Sequence, residues 1–498
     1  MPAAPSPAAP ANGPRLSLVR TVLLLALFAA FACAEAFRCS SLSGLDNGDT
    51  WWHLSSGLWM LQHRALARGP LFSQAATSLW ASTSWIYDLK LAVYFELIGL
   101  KALPLFAAGS KIGLAIVTFL LAGGRRTNFW LAIALSLAAQ YIVNAFEPVP
   151  SYPSILLFSV ELLLLLSIRS EPIDPGLSAK APQRSRFAKP TFWLPFLFLL
   201  WANLDPSFVY GLAVLILFLI LARSGAPLHE LAPSIALSVL ATFLTPGVFR
   251  PYGVFFSNSF SASAGVLPEY HAPGFRRPED YVLLLLVMSA FLALGLRRSR
   301  DLFLLALVSV SAALSFHAQR DTWLVVLAAV AVIGQSLREA KAGRASFAAT
   351  HMRELLISAA ASLVVLVLIA AFAVPAPPAL LAKAARTYPV AAADYIRDRR
   401  LPQPLFNAFE WGGFLTWYLP EYPVAIDSRL ELYGDDFIVQ YSKMMNAEIP
   451  YTEFPALANA RTILLPRASI MAQALATLPA YKVAYSDDVA TVLTREDP

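Results

Sequence analysis

Between Gly44 and Leu54 the chain reads Gly-Leu-Asp-Asn-Gly-Asp-Thr-Trp-Trp-His-Leu. Asp46 and Asp49 put two carboxylates three positions apart, and Trp51, Trp52 and His53 follow directly. A carboxylate can take a proton from an acceptor hydroxyl or ligate a metal ion. Indole rings stack on the apolar face of a sugar or sit at a membrane–water interface. Further along come Asp205, the run Glu269-Tyr270-His271, and Arg320. An arginine can grip a phosphate through two parallel hydrogen bonds.

Each of these residues also has a structural reading. Both Asp46 and Asp49 suit a capping or Asx-turn role at the start of a helix over Thr50–Leu61; Asp49 is well placed as its N-cap, whereas the alternative for Asp46 is less clear. Trp51 and Trp52 suit interfacial anchors, and His53 either a hydrogen-bonded structural role or a substrate contact. Arg320 has Asp321 and Glu269 as ion-pair candidates, and Glu269 and His271 can stabilise a long loop. Asp88 and Glu96 suit the polar side of an interfacial helix. Trp411-Gly412-Gly413 suits a tight turn, since such turns need glycine, and Asp427-Ser428-Arg429 suits a locked loop.

The elements that must position these groups are apolar. Of 498 residues 57% are hydrophobic and 14% charged, against roughly 25% charged in soluble domains. This defines a polytopic membrane protein. The net charge of +6 does not point to nucleic acid, because Lys and Arg gather in a few loops between apolar runs. Cys33 and Cys39 are the two cysteines, and no His/Cys spacing forms a metal motif. Residues 1–14, rich in Pro and Ala, read as a disordered tail. Arg15 and Arg20 precede the apolar run Thr21–Cys33, which resembles a signal peptide, but many spans follow, so it reads as a retained first helix.

Apolar runs of roughly 17–25 residues fall near 17–36, 104–122, 127–145, 151–168, 190–204, 207–223, 231–246, 281–296, 302–316, 321–336 and 354–374. Charges interrupt 83–101, which reads as a helix in the interface. With a cytoplasmic N-terminus and 83–101 not crossing, the loops with Arg125/Arg126, Arg169–Lys189, Arg223, Arg297/Arg298/Arg300 and Arg338–Arg353 all fall inside. If 83–101 crosses, all of them fall outside. The expectation is therefore a mainly α, polytopic bundle of about eleven spans over 15–377, its first outer loop at 37–103.

After Pro375, Pro377 and Pro378 the pattern changes to a small α/β domain over 378–498, expected outside. Helices are expected at Ala391–Arg399 and Ile470–Leu478. Strands are expected at Gln403–Phe406, Pro423–Ile426, Arg461–Leu465, Lys482–Tyr485 and Ala490–Leu493. Lys and Arg alone fix this topology, yet it gathers Asp46, Asp49, His53, Glu147, Asp205, Glu269, His271 and Arg320 on the outer side. Glu161 is the exception, in mid-span, where an ionisable group is costly and often functional.

Asp49-Thr50-Trp51-Trp52-His53-Leu54 with Gly57 resembles the first extracytoplasmic loop of large bacterial membrane proteins related to the GT-C glycosyltransferases. Trp201-Ala202-Asn203-Leu204 with Gly211, Thr245-Pro246-Gly247, Glu269-Tyr270, Arg320, Asn407 with Trp411–Leu415, and Ile426–Arg429 carry the same likeness. It covers about residues 17–498. Asp205-Pro206 depart from the His-Gly that often follows Trp-Ala-Asn-Leu in that group.

The resemblance implies an integral protein of a bacterial inner membrane and a polyprenyl-phosphate-linked sugar donor. A glycan, lipid or protein acceptor would be served on the outer face. By motif position Asp46 or Asp49 is the acidic residue of the reaction centre, as base or as ligand of a divalent cation (Mg or Mn). Trp51, Trp52, His53, Asp205, Glu269 and His271 would line the site, and Arg320 would hold the phosphate. The alternative is a non-catalytic scaffold of this fold that binds lipid-linked glycans for envelope assembly. A transporter fits less well, because no repeated halves are evident.

Overall fold

A computed structural model of the chain describes residues 45–74, 80–124, 129–144, 152–169, 189–222, 228–260, 262–340 and 374–495, with 360 and 364. The expected first span at 17–36, nearly all of the last span at 354–374, the tail 1–14, both cysteines, Arg125/Arg126 and Glu147 lie outside the described residues.

Among the described residues two helices precede the main bundle: α1 (Gly48–His63) and α2 (Trp85–Ile98). The other expected apolar runs within the described residues each form a helix, with ends within a few residues of the expected ones. They are α3 (Ala102–Leu121), α4 (Phe129–Asn144), α5 (Tyr152–Arg169), α6 (Pro190–Ala202), α7 (Phe208–Leu221) and α8 (Leu228–Thr242). After α9 (Arg250–Phe260) come α10 (Pro278–Leu296), α11 (Leu302–His317) and α12 (Thr322–Ala340).

Burial distinguishes their places. From Trp323 to Ile333 every side chain of α12 is buried, as expected of a helix that is apolar all round and enclosed by others. In α10, Leu283, Leu286, Val287, Ala290 and Leu294 face the bundle. Tyr281, Leu285, Met288, Leu292 and Leu296 form the opposite, exposed stripe. An unbroken apolar stripe on a helix of spanning length is lipid-facing, and the protein is an integral membrane protein.

Among the described residues four helical stretches are long and apolar enough to cross a membrane: Trp85–Leu121, Tyr152–Arg169, Pro278–Leu296 and Gln319–Glu339. Shorter apolar helices (α4, α6, α7, α8 and α11) accompany them. Residues 83–101 form α2 and a 3₁₀ turn, Gly99–Lys101, that leads into α3. Gly99, at φ 64°, supplies the left-handed conformation that ends α2.

The C-terminal segment contains α13 (Pro377–Ala384), α14 (Val390–Arg399), β1 (Leu405–Asn407), α15 (Phe409–Tyr418), α16 (Leu430–Tyr433), α17 (Asp435–Met445) and α18 (Pro455–Ala458). It ends with β2 (Thr462–Pro466), α19 (Ile470–Ala476), β3 (Tyr481–Ser486) and β4 (Ala490–Arg495). The sheet order is β1-β2-β4-β3. β1 and β2 are parallel, with Leu405 opposite Thr462. The other two pairs are antiparallel, and β3 carries a bulge between Val483 and Tyr485.

Two expectations need correction here. Pro423–Ile426 is not a strand of this sheet: Val424 makes a single bridge to Ser73, far back in the chain. Gly412 and Gly413 form no turn but lie inside α15. A Cβ on Gly412 would overlap the Ile426 carbonyl, and one on Gly413 the Gly48 carbonyl. Both are glycine because backbones touch there. Trp51, Leu54, Tyr87 and Leu91 thereby share one hydrophobic cluster with Tyr388, Phe414, Ile426, Leu464 and Leu493.

Candidate active site

The start of α1, the α6–α7 turn, α9, the 3₁₀ turns Pro268–Tyr270 and Gln319–Asp321, and Ser428–Glu431 surround one cavity of about 480 Å³. Asp46, Asp49, Trp52, His53, Asp205, Glu269 and Arg320 all line it. Trp51 and His271 do not.

Asn47 holds the start of α1. Its side chain accepts from the Asp49 backbone N–H at 2.8 Å and is the N-cap. This corrects the capping reading of Asp49, which lies in the first turn with its carboxylate committed elsewhere. Asp49 Oδ1 accepts from Trp52 Nε1 at 3.2 Å and from the Ser428 hydroxyl. Two donors thus fix the same oxygen.

Asp46 is more loosely held. It is exposed, and Thr387 donates to it at 3.4 Å. Partial desolvation raises its pKa, and the Thr387 hydrogen bond opposes the rise.

Trp51 is fully buried. Its Nε1 donates to the Leu45 carbonyl at 2.9 Å, and its ring stacks on Trp417 at 4.7 Å. It joins α1 to α15, so it serves neither as an interfacial anchor nor as a platform in the cavity. Trp52 does reach the cavity, stacked on His53 at 3.6 Å.

The most informative residue that sequence reading misplaced is Asp88. It is not on the polar side of an interfacial helix but completely buried, in a short contact with His53 Nδ1. Its other oxygen accepts from Ser82 at 2.6 Å. The periodicity of 83–101 gives no sign of this, because the partner lies 35 residues away. Asp205 is a local organiser: Ser154 Oγ and the Ser207 N–H each donate to it at 2.7 Å, at the turn into α7.

On the opposite wall Arg320 lies over the Tyr270 ring at 4.5 Å and donates to its hydroxyl. Glu269 is 3.8 Å from the guanidinium. Of the two ion pairs weighed from sequence, this is the one formed; Asp321 instead accepts from Tyr210 at 2.8 Å. Glu269 is open to the cavity yet hemmed in by protein. Desolvation raises its pKa, Arg320 opposes this, and Asp49 and Asp321 add to it. The Tyr270 phenol is pushed up to about 12, chiefly by desolvation. His271 points away, with Nε2 3.0 Å from the Gly265 carbonyl oxygen, and serves the loop.

Asp427 and Arg429 form a fully buried pair with a 2.5 Å contact. They hold Ser428 between them, so the motif both locks a loop and delivers a hydroxyl to Asp49. Six carboxylates and two guanidiniums line the cavity. Asp427 neutralises Arg429, which leaves Arg320 to meet an anion. Glu161, fully buried in α5, has no hydrogen-bond partner among the described residues for either carboxylate oxygen and lies outside the cavity lining. Among the described residues no three His, Cys, Asp or Glu side chains form one cluster that could hold a metal ion.

The fold is that of GT-C glycosyltransferases. The oligosaccharyltransferase of Archaeoglobus fulgidus aligns at a TM-score of 0.50 and 9% identity, over 89% of this chain and 69% of that one. ArnT of Cupriavidus metallidurans in its apo state aligns at 0.47 and 15% identity, over 95% and 98%. A structure of that ArnT bound to undecaprenyl phosphate aligns at 0.43 and 14% identity, over 94% and 97%. No protein-family model and no curated protein matches the sequence.

Proposed function

We propose that the protein is a membrane glycosyltransferase that moves a sugar from a polyprenyl-phosphate donor to an extracytoplasmic glycan, lipid or protein acceptor. The observation that carries this reading is the convergence of Asp46, Asp49, Glu269 and Arg320 on one cavity from three separate parts of the chain. An apolar bundle beneath such a cavity suits a substrate with a lipid tail and a polar head.

Asp49 is the base of this reading. With Oδ1 held by Trp52 and Ser428, the carboxylate is oriented before substrate arrives, and Oδ2 takes the proton of the acceptor hydroxyl. The acceptor oxygen bonds to the anomeric carbon as the bond from that carbon to the phosphate oxygen breaks. The phosphate leaves with its charge met by Arg320. Asp46, at the rim, assists in binding the acceptor. A divalent cation at this site would take Asp46 or Asp49 and phosphate oxygens as ligands, since magnesium is often held by one or two carboxylates and substrate phosphates.

In this reading the bundle lies in the inner membrane of a bacterium, and the loop charges favour an extracytoplasmic C-terminal segment. Substitution of Asp49 and Asp46 separately by Asn, in a strain with a scorable glycan, tests the function. Product falls at least about 100-fold in Asp49→Asn at unchanged protein level. Wild-type product from both variants overturns the assignment.

A further inference from the structure

His53 is 1% exposed and forms part of the cavity wall. Its Nδ1 meets Asp88, and its Nε2 is buried with no hydrogen-bond partner among the described residues. The surroundings fix which nitrogen carries the proton. Asp88 uses one oxygen for Ser82 and offers the other to the ring. A carboxylate accepts only, so Nδ1 carries the hydrogen, and in the neutral ring Nε2 keeps its lone pair. Around the ring stand Trp52, stacked at 3.6 Å, and Tyr87, edge-on at 4.9 Å. Neither ring face supplies a donor to Nε2.

The pair is built into the contact of two helices. A Cβ on Gly57 would overlap the Asp88 carbonyl, so glycine there lets α2 come close enough for Asp88 to reach His53. A buried acceptor held at a fixed angle, in the wall of a cavity, and left unsatisfied by the protein is a group kept for a ligand's donor.

Resting on the glycosyltransferase reading above, we infer that His53 and Asp88 form a hydroxyl-reading subsite: His53 Nε2 accepts a hydrogen bond from a sugar hydroxyl, and Asp88 is the positioning residue that holds the acceptor tautomer. The subsite selects a neutral O–H donor and rejects a deoxy sugar at that position, because a sugar without the hydroxyl leaves Nε2 buried and unpaired.

The test uses full-length protein in lipid nanodiscs with ¹⁵N-labelled histidine, the His53 resonance being assigned by its loss in His53→Gln. Wild-type protein shows a protonated Nδ1 and an unprotonated Nε2. In Asp88→Asn the amide donates to Nδ1 and the proton moves to Nε2. In the glycan-scoring strain, at equal protein level, Asp88→Asn lowers product by about 10- to 100-fold. His53→Leu loses more, and His53→Gln, which can keep an acceptor oxygen near Nε2, recovers part of it.

A protonated Nε2 in the wild-type protein overturns the inference whether or not the variants fold. Full product from Asp88→Asn and His53→Leu, with loss in Asp49→Asn, overturns it alone. Full product from Asp46→Asn and Asp49→Asn overturns the enzymatic reading and this inference with it.

Discussion

The Ser428 hydroxyl donates a hydrogen bond to Asp49 Oδ1 although the two residues lie 379 positions apart. The candidate base in α1 is thus oriented by a side chain of the C-terminal segment, and the buried Asp427–Arg429 pair fixes that side chain from either side. A hydrogen bond to a charged group contributes about 1.5–3 kcal/mol. Ser428→Ala removes one of the two donors to Oδ1 and lowers turnover by about 10- to 100-fold. Trp52 remains as the second donor, so activity is reduced and not abolished. Ser428→Thr keeps the hydroxyl and most of the activity. Product yield at matched protein level checks this, and equal yields from the two variants would mean that the contact does not orient the base.

The same coupling has a mechanical side. α15 meets the start of α1 at Gly413, where a Cβ would overlap the Gly48 carbonyl. Carbonyl backbone cannot swing aside as a long side chain can. Gly413→Ala therefore destabilises the protein by about 1–3 kcal/mol and loosens Asp49 from Ser428. Gly295 is the control: it lies in α10 with nothing within 4 Å of a Cβ. There alanine is neutral or raises stability by about 0.5–1 kcal/mol through helix propensity. Thermal unfolding of the two variants in detergent separates them, and a Gly413→Ala protein as stable as wild type would contradict the close contact.

What the sequence makes legible follows from the range of the interaction that determines it. Each apolar run between 102 and 340 becomes a helix because length and hydropathy are properties of one segment. β2, β3 and β4 are legible for the same reason, through alternation and β-branched residues. α15 is missed because two glycines inside a helix look like a turn until the facing backbone is known. Asp88 is misread because a charge on an apolar helix looks solvated unless its partner His53 is in view. Asp46, Asp49, Glu269 and Arg320 could be chosen by residue type and loop position, but Ser428 could not. Its role exists only through the fold, and serine is too common to stand out.

Glu269 gives the site a pH dependence whose sign can be worked out. Its folded-state pKa lies above the usual 4.5, with desolvation the largest cause. The protonated form is therefore favoured by folding: the associated stability is fully present below pH 4.5 and is lost as pH rises through the raised value. Above that value the carboxylate sits 3.8 Å from Arg320 and competes with a donor phosphate for it. A phosphodiester stays anionic throughout this range. Donor affinity accordingly rises as pH falls through the Glu269 pKa, and Glu269→Gln fixes it at the higher level. Titration of the binding of a polyprenyl-phosphate sugar, a phosphodiester, from pH 4 to 8 in both proteins measures this, and an unchanged slope in Glu269→Gln would remove Glu269 from the account.

The loop charges make the last prediction. Arg297, Arg298 and Arg300 follow α10 directly and belong to the basic loops expected on the cytoplasmic side. The Asp49 end of the cavity has Asp46, Asp205, Glu269 and Asp321 in its lining, with Arg320 as a half-buried cation. Positive loops stay in the cytoplasm, whereas acidic residues exert little topological pull. Alkaline phosphatase fused after Arg495 is therefore active, and the same reporter inserted at Ser299 is inactive. A green fluorescent protein fusion at each site gives the reverse. Active phosphatase at Ser299 together with an inactive fusion after Arg495 would turn the whole cavity to the cytoplasm. Transfer outside the cell would then be impossible, because the base and the donor site would face nucleotide-sugar pools and not the envelope.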